Sequence, residues 1–199
     1  MKNLFLEEEA LSREEKINLK GHKPTVVWFT GLSGAGKSTL AKLLEKELFK
    51  RSVHTCLLDG DNIRSGLNCN LHFTEEDRTE NLRRVAEVAK LFLESGIVVI
   101  SAFITPLASD RQLIKDIVGE ENFLEIFVST SLEECEKRDV KGLYQKARAG
   151  EITNFTGISA PYEKPVAPDV EVSTEDSALE VEITKILEIV ESRINTGWN

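Results

Sequence analysis

The chain has 199 residues, of which 41% are hydrophobic and 30% charged, and its formal net charge is −9. This length and composition are typical of one globular domain with a full hydrophobic core. The acidic balance argues against general nucleic-acid binding, because backbone phosphates attract a basic surface. It leaves room for a small phosphorylated substrate, which needs only a local cluster of positive charge.

Neither a targeting segment nor a membrane span is expected. The first residues turn acidic within a few positions and contain no apolar run long enough for a signal peptide. No segment approaches the ~18 apolar residues of a membrane helix. The three cysteines, Cys56, Cys69 and Cys135, are far apart and show no spacing typical of a zinc site. We therefore expect a cytoplasmic protein with reduced thiols. A regulatory disulfide is the alternative.

Five segments rich in β-branched and aromatic residues predict strands at 25–30, 53–58, 97–103, 123–128 and 169–172. Helical patterns lie between them. Thr74 and Gly96 mark the expected start and stop of the longest helix, and the last pattern covers 179–190. Strands alternating with helices imply right-handed βαβ units. The predicted fold class is therefore α/β, with a parallel sheet of about five strands flanked by helices.

Changes in hydrophobic periodicity along the chain predict the domain organisation. Residues 1–22 are charged and weakly patterned, so we expect an N-terminal extension with room for one short helix, then a single domain over 23–199. Within that domain, 139–165 is rich in Gly, Lys, Arg and Pro and has little helical periodicity. Because this is long for a passive connection, we predict that it forms a mobile lid.

A glycine-rich segment follows the first predicted strand. It reads Gly31-Leu32-Ser33-Gly34-Ala35-Gly36-Lys37-Ser38 and matches G-x-x-x-x-G-K-[ST] between a strand and a helix. Glycines let backbone N–H groups point at phosphate oxygens, and the helix N-terminus adds partial positive charge. We expect Lys37 to reach the β- and γ-phosphates of ATP and the Ser38 hydroxyl to ligate Mg²⁺. With Thr39, these residues form the predicted ATP site of a P-loop NTPase-type sheet; a glycine turn without this function is the alternative.

Two carboxylates follow the second predicted strand, at the sheet edge where sites form in parallel α/β proteins. Of Asp59 and Asp61, one can serve the Mg²⁺ shell while the other accepts a proton from an attacking hydroxyl. We assign Asp59 to the metal and Asp61 to the acceptor. Simple helix caps are the alternative.

The chain from Asp59 onward resembles the adenylylsulfate kinase family. The similar segments are DGDNIRSGL at 59–67, LHFTEEDRTENLRRV at 71–85, KGLYQKARAGEI at 141–152, NFTGI at 154–158 and PYE at 161–163. The resemblance extends over residues 20–195. It implies Mg²⁺- and ATP-dependent phosphorylation of adenylylsulfate at its 3′-hydroxyl, giving ADP and 3′-phosphoadenylylsulfate, by a homodimer that takes part in sulfate activation.

The resemblance also implies roles for individual residues. Arg64, Arg78 and Asn81 match positions that hold the phosphosulfate and ribose of the acceptor, and forked guanidinium donors suit anionic oxygens. Phe73 and Phe155 match the pair that sandwiches the acceptor adenine. The other implied acceptor contacts are Asp61, Ile104, Thr105, Lys141, Gly142 and Leu143, and Arg138 is implied to lie by the ATP base.

Residue context leaves simpler explanations open. Arg78 could be a surface arginine in an ion pair, and Phe73 and Phe155 could be core residues. Both phenylalanines, however, lie in polar loops where an exposed stacking platform is easier to explain. Charge supports the lid independently, since 137–148 contains five basic residues and a single acid in an acidic chain. This reversal predicts an anion-facing surface, with an ordinary solvated face as the alternative.

One stretch departs from the family pattern. Where the family usually reads Ile-Ser-Pro-aromatic-Arg, this chain has ITPLA at 104–108. Thr105 keeps a hydroxyl at a position proposed in some members to carry a transient phosphate. Direct in-line transfer needs no such hydroxyl, so we predict that Thr105 contacts the substrate and acts in the catalytic set with Lys37 and Asp61.

Because this chain lacks the family's aromatic residue and arginine at 104–108, two other functions remain as alternatives. The main alternative is a kinase of the same architecture that phosphorylates a related nucleotide. A second is a non-catalytic, nucleotide-dependent regulator. The sulfurylase reaction itself is disfavoured because the chain has no room for a second large domain.

Overall fold

The computed structural model describes residues 10–175 and 177–195. Its sheet has five parallel strands in the order β2-β3-β1-β4-β5. The strands are β1 (Val26–Thr30), β2 (Thr55–Asp59), β3 (Val98–Ala102), β4 (Phe123–Val128) and β5 (Val170–Val172). This confirms the predicted P-loop NTPase-type α/β class. β2 begins two residues later than expected because Val53 still closes the turn after the preceding helix, donating to the carbonyl of Leu48 at 3.0 Å.

Eight α-helices lie in the described part of the chain, together with a short 3₁₀ turn at Glu120–Asn122. They are α1 (Arg13–Lys20), α2 (Lys37–Lys50), α3 (Gly60–Ser65), α4 (Glu75–Glu94), α5 (Ala108–Val118), α6 (Leu132–Arg138), α7 (Leu143–Arg148) and α8 (Leu179–Ile194). Helix α1 is the short helix expected in the N-terminal extension, and the first nine residues of that extension lie outside the described residues. No helix within 10–175 or 177–195 is long and apolar enough to span a membrane.

Local sequence explains where the longest helix begins and ends. The Thr74 hydroxyl accepts a hydrogen bond from the backbone N–H of Asp77 at 3.2 Å and caps the first turn of α4, as predicted. At the other end Gly96 has φ = +79°, a conformation that glycine adopts without strain. The chain therefore turns there and enters β3.

The core lies on both faces of the sheet, which is why β1, β3 and β4 are buried along their whole length. On one face Val27 and Phe29 pack with α2 and α8. On the other face Trp28 packs with α4 and α5. All five strands run the same way, so their carboxyl ends form one edge, and the loops leaving that edge carry the predicted site.

Candidate active site

The phosphate-binding loop lies between β1 and α2 and depends on its glycines. Gly31, Gly34 and Gly36 have φ values of +148°, +77° and +101°, which residues with a side chain rarely adopt. A Cβ on Gly31 would lie 2.5 Å from the carbonyl oxygen of Val128 at the end of β4. The loop therefore packs so closely on the sheet edge that only glycine fits at its first position.

Lys37 lies beneath this loop at the first position of α2 and is only 8% exposed. Its ammonium donates hydrogen bonds to the carbonyl oxygens of Gly31 at 2.9 Å and Leu32 at 2.7 Å. Burial lowers the pKa of Lys37 from 10.5 to about 8. The ammonium is thus held inside the loop by acceptors that phosphate oxygens can replace.

Two threonines and an arginine hold the loop from outside. The carbonyl oxygen of Ala35 accepts from the hydroxyls of Thr130 at 3.0 Å and Thr174 at 2.9 Å. Arg138 donates to both oxygens of Thr174 at 2.7 Å, and its Nη1 lies 3.4 Å from the carbonyl oxygen of Gly34. Arg138, predicted to lie by the ATP base, is therefore at the edge of the phosphate loop.

Ser38 and Thr39 are exposed at the mouth of the loop, and Ser38 faces the end of β2. The Ser38 hydroxyl donates a 2.6 Å hydrogen bond to Oδ2 of Asp59. The other carboxylate oxygen of Asp59 accepts from the backbone N–H of Asp61 at 3.1 Å and caps α3. Hydroxyl and carboxylate oxygens are ligands that Mg²⁺ prefers, so this pair fits a divalent cation.

Asp61 lies two residues further on, with its carboxylate in solvent, and forms an ion pair with Lys141 of the predicted lid. The carboxylate and the ammonium keep 72% and 55% of their side-chain surface exposed. The predicted base and the predicted lid contact are therefore adjacent, and both remain open to a ligand.

A second basic group lies beside the end of α3. The guanidinium carbon of Arg64 is 4.6 Å from the ring centroid of Phe73, which is 65% exposed. Arg64 also donates to the carbonyl oxygen of His72 at 3.0 Å. Partial burial, and next the charge of Arg78, lower the pKa of Arg64. Two half-buried guanidinium groups thus lie close enough to repel each other, and a bound anion would offset that repulsion.

Arg78 links α4 to the predicted lid rather than forming a surface ion pair. Its Nη2 donates to the carbonyl oxygen of Asn154 at 2.6 Å and its Nη1 to the hydroxyl of Thr156 at 2.9 Å. Its Nε donates to the carbonyl oxygen of Phe73 at 3.1 Å. All three acceptors are uncharged, so the positive charge of Arg78 is not neutralised by these bonds.

Two predicted acceptor contacts are buried. Asn81, one turn after Arg78 on α4, is 3% exposed, and its Oδ1 accepts from the side chain of Asn68 at 3.0 Å. Ile104 is half-buried, and its carbonyl oxygen accepts from the hydroxyl of Thr30 at 2.7 Å. The same carbonyl lies 3.4 Å from the backbone nitrogen of Gly31, so Ile104 borders the phosphate loop.

The expectation of an exposed ring is wrong for Phe155. The side chain is 8% exposed and belongs to the core cluster on the α2 face of the sheet. Its ring lies edge-on to Tyr144, with the centroids 5.0 Å apart. The backbone N–H groups of Ile158, Ser159 and Ala160 all donate to the Phe155 carbonyl oxygen, and this tight turn faces the ring inward. In this arrangement only Phe73 of the predicted pair is available for stacking.

The placement of Thr105 also differs from the prediction of a substrate contact. The residue is 1% exposed, and its hydroxyl oxygen accepts from the indole N–H of Trp28 at 2.8 Å. Its φ is +45°, a conformation that is costly for a β-branched residue. The hydroxyl is therefore enclosed in the core and faces the indole of Trp28.

The segment predicted to be the lid, 139–165, reaches the phosphate loop through its short helix. Gly142, at φ = +64°, precedes α7, and Leu143 packs against the core. The hydroxyl of the next residue, Tyr144, donates to the carbonyl oxygen of Ser33 at 2.8 Å. Residues 141–144 therefore span from the Asp61 carboxylate to the phosphate loop.

Comparison with known proteins identifies the family. The sequence model of the family described as Adenylylsulphate kinase matches residues 23–173. The chain belongs to the adenylylsulfate kinase family. It is 57% identical over 184 residues to an adenylyl-sulfate kinase from Bacteroides thetaiotaomicron, covering 92% of each chain. It is 52% identical over 188 residues to one from Shewanella amazonensis, covering 94% of this chain and 95% of the relative.

A solved structure of the same family is similar in fold. It is the Mycobacterium tuberculosis APS kinase in complex with AMPPNP and APS, which aligns with a TM-score of 0.82 and 44% identity. The alignment covers 85% of this chain and 98% of that one. The chain is thus a member of a kinase family that uses ATP.

The unusual 104–108 stretch of this chain is supported by residues outside the motif. Arg111 donates to the carbonyl oxygens of Thr105 at 3.0 Å and Pro106 at 3.4 Å. From the predicted lid, the Glu163 carboxylate accepts from the backbone N–H of Ala108 at 2.6 Å, and the Glu163 backbone N–H donates to the carbonyl oxygen of Pro106 at 2.8 Å. These contacts fix the segment despite the absence of the family's aromatic and arginine.

Several site residues were missed from the sequence. Thr130 and Thr174 lie two residues after the carboxyl ends of β4 and β5, where sites form in parallel sheets, and that rule could have identified them. Thr156 and Tyr144 lie in the segment predicted to be the lid, but nothing in their spacing indicates which groups they contact.

Proposed function

We propose that this protein transfers the γ-phosphoryl group of ATP to the 3′-hydroxyl of adenylylsulfate, giving ADP and 3′-phosphoadenylylsulfate. The observation that carries the proposal is the meeting, at one sheet edge, of the Lys37 loop with Asp61 and the half-buried guanidinium groups of Arg64 and Arg78, neither of which forms a direct ion pair within the described residues. Family membership gives the acceptor its identity. We further infer one kinase domain over 23–199 with a lid at 139–165.

The phosphate groups of ATP are proposed to replace the carbonyl oxygens of Gly31 and Leu32 as acceptors for the Lys37 ammonium. Backbone N–H groups of residues 31–38 and the start of α2 add further positive potential. Ser38 and Asp59 are the residues that would hold Mg²⁺, which supplies positive charge against the negative charge of the phosphates. Arg138 is proposed to border the adenine of ATP.

Asp61 is proposed to orient the acceptor and take its proton. Once Lys141 turns to the acceptor, the exposed carboxylate of Asp61 is free to accept a hydrogen bond from the 3′-hydroxyl. The oxygen–phosphorus bond forms as the bond to the leaving ADP oxygen breaks, and the hydroxyl proton passes to Asp61 and then to solvent. Lys37 stabilises the charge on the transferred group.

The remaining acceptor contacts are proposed as follows. Arg64 and Arg78 bind the phosphosulfate, Phe73 stacks on the adenine, and Asn81 donates to the acceptor from α4. Lys141, Gly142 and Leu143 close over it and exclude water, which limits hydrolysis of ATP. For Phe155 and Ile104, we infer that they line this site from the core side.

The decisive measurement is ADP release from the purified protein with Mg·ATP, with and without low-micromolar adenylylsulfate, and the mass of the product. Strong stimulation and a product that gains one phosphoryl group at the 3′ position support the proposal. ATP binding without stimulation would contradict the acceptor and favour a kinase for a related nucleotide, because residues 107 and 108 lack the family's aromatic and arginine. A nucleotide panel would then identify that acceptor.

Two further features are proposed from the family resemblance and the composition. The active protein is a homodimer, which light scattering of the purified chain tests directly. Its compartment is the cytoplasm, where the exposed free thiol of Cys69 would stay reduced.

A further inference from the structure

Asn68 is a buried polar residue in an otherwise exposed turn. It lies between α3 and α4, and its neighbours Gly66, Leu67, Cys69 and Asn70 are all exposed. Asn68 itself is 0% exposed. Burying a carboxamide is costly unless its hydrogen bonds are made, so a polar side chain at this position calls for a specific partner.

That partner is Asn81 on α4. The Nδ2 of Asn68 lies 3.0 Å from Oδ1 of Asn81 and 3.4 Å from the main-chain carbonyl oxygen of Asn81. A main-chain carbonyl can only accept, so the amino end of Asn68 must face Asn81. The Asn81 carboxamide must in turn present its oxygen to Asn68. The pair of contacts therefore fixes the orientation of both amides, which one amide–amide contact alone would leave open.

The consequence for Asn81 is that its amino group faces away from Asn68. Within the described residues this amino group donates no hydrogen bond. Two N–H donors are thus kept free on a 3% exposed side chain, three positions after Arg78 on the same face of α4. Such an arrangement suits an oxygen-rich ligand and would be poorly suited to a ligand that needs an acceptor.

The other end of Asn68 supports this interpretation. Its Oδ1 is buried, and within 10–175 and 177–195 it has no hydrogen-bond partner. If Asn68 served only to fill space, an apolar side chain of similar size would do so without an unsatisfied oxygen. The two hydrogen bonds that Nδ2 donates to Asn81 are therefore the feature that an apolar side chain could not supply.

We propose that Asn68 is a positioning residue for the acceptor, because it turns the Asn81 carboxamide so that its N–H donors face the phosphosulfate or ribose oxygens. This inference rests on the proposed function, which supplies the acceptor. Asn68 itself touches no substrate and acts through Asn81.

The test compares Asn68→Asp with the matched control Asn70→Asp. The first replaces the amino end by a carboxylate oxygen, so Asn81 must flip its own N–H groups toward Asn68 and away from the acceptor. The second lies in the same turn, is exposed, and keeps the oxygen that accepts from Arg84 at 2.9 Å. We expect the KM for adenylylsulfate to rise roughly tenfold or more in Asn68→Asp, while the KM for ATP stays within about twofold. Asn70→Asp should match the wild type in both.

A double-mutant cycle decides whether Asn68 acts through Asn81. In an Asn81→Ala background, Asn68→Asp should produce no further rise in the KM for adenylylsulfate, because the group that it turns is gone. Asn68→Ala, which introduces no buried charge, enters the same cycle if Asn68→Asp does not fold. Additive effects, or a loss of kcat with equal changes in the KM for both substrates, would overturn the proposal and leave Asn68 a structural residue. If the wild type turns over no adenylylsulfate, the proposed function fails first and this inference falls with it.

Discussion

The hydroxyl of Ser38 donates a 2.6 Å hydrogen bond to Oδ2 of Asp59 and so joins the first turn of α2 to the end of β2. The two residues are far apart in the sequence, and the order of the sheet determines their contact. β2 is separated from β1 by β3, so the loop after β1 must extend along the sheet edge to reach it. This hydrogen bond joins the two proposed metal ligands directly.

Asp59→Asn separates the two roles of Asp59. Asparagine caps helices about as well as aspartate, so α3 should keep its cap while the charge facing Ser38 is lost. We expect kcat/KM at limiting Mg²⁺ to fall roughly a hundredfold and the Mg²⁺ needed for half-maximal rate to rise. Initial rates measured against Mg²⁺ concentration check this. The exposed Asp116→Asn is the matched control, and an unchanged Mg²⁺ requirement in Asp59→Asn would contradict the metal assignment.

Lys37 predicts a pH dependence of stability. Its pKa is about 8 in the folded protein and 10.5 as the ordinary value, so between these pH values the unfolded chain binds more protons than the folded one. The unfolding free energy should therefore rise with pH across this window, by about 3 kcal/mol at most, because burying the charge is costly below pH 8. Urea unfolding from pH 7.5 to 9 measures the rise. Lys37→Met should lack it and lose nearly all turnover.

The same group predicts proton uptake when ATP binds. Near pH 8 about half of the Lys37 side chains are neutral, and phosphates at the ammonium favour the charged form. ATP binding at pH 8 should then take up about half a proton per site, falling toward zero near pH 6.5. Calorimetry in buffers of different ionisation enthalpy measures this uptake directly. Uptake that persists in Lys37→Arg, whose side chain stays charged, would assign the proton to another group.

The ion pair between Lys141 and Asp61 predicts an effect on binding without an effect on stability. Both side chains are exposed, and such pairs contribute little to folding, so Lys141→Met should change the Tm by less than about 2 °C. The KM for adenylylsulfate should rise about tenfold, because one charge-assisted contact to an anion is lost. The exposed Lys146→Met, on α7, is the control. A rise of equal size in Lys146→Met would indicate a general charge effect of the lid.

The sequence was sufficient to predict the elements whose pattern lies within a short stretch of the chain. The order of strands and helices followed from hydrophobic periodicity, and residues 31–38 could be assigned because each position of the motif has one physical reason. The contacts of Asp59 with Ser38 could be anticipated from the rule that sites form at the carboxyl ends of parallel strands.

What could not be predicted depends on packing between distant segments. Phe155 lies in a polar loop, which favours exposure, but Tyr144 supplies an apolar surface that covers its ring. Asn68 resembles an ordinary turn residue, and only the approach of α4 shows that it is buried against Asn81. In both cases the deciding partner comes from another element, so no local pattern carries the signal.

Substitutions of Thr105 test whether the phosphoryl group passes directly from ATP to the acceptor or through a covalent intermediate on this residue. If the phosphoryl group passes directly from ATP to the acceptor, the Thr105 hydroxyl serves only as the acceptor for the Trp28 indole N–H at 2.8 Å. Thr105→Val keeps the β-branch at φ = +45°, so backbone strain is matched and only the hydroxyl is lost. We expect the unfolding free energy to fall by about 1–3 kcal/mol, since a buried donor loses its partner. Turnover of the folded enzyme should stay within about threefold of the wild type.

Thr105→Ser completes the comparison because it restores a hydroxyl on a less branched side chain. Stability should then recover at least in part, while turnover should remain at the wild-type level. A covalent role predicts a different pattern, in which Thr105→Val folds but is inactive, Thr105→Ser is active, and the wild type gains the mass of one phosphoryl group with ATP alone. That pattern would require the Thr105 hydroxyl to leave Trp28 and reach the phosphate loop, and so would show that this segment rearranges during catalysis.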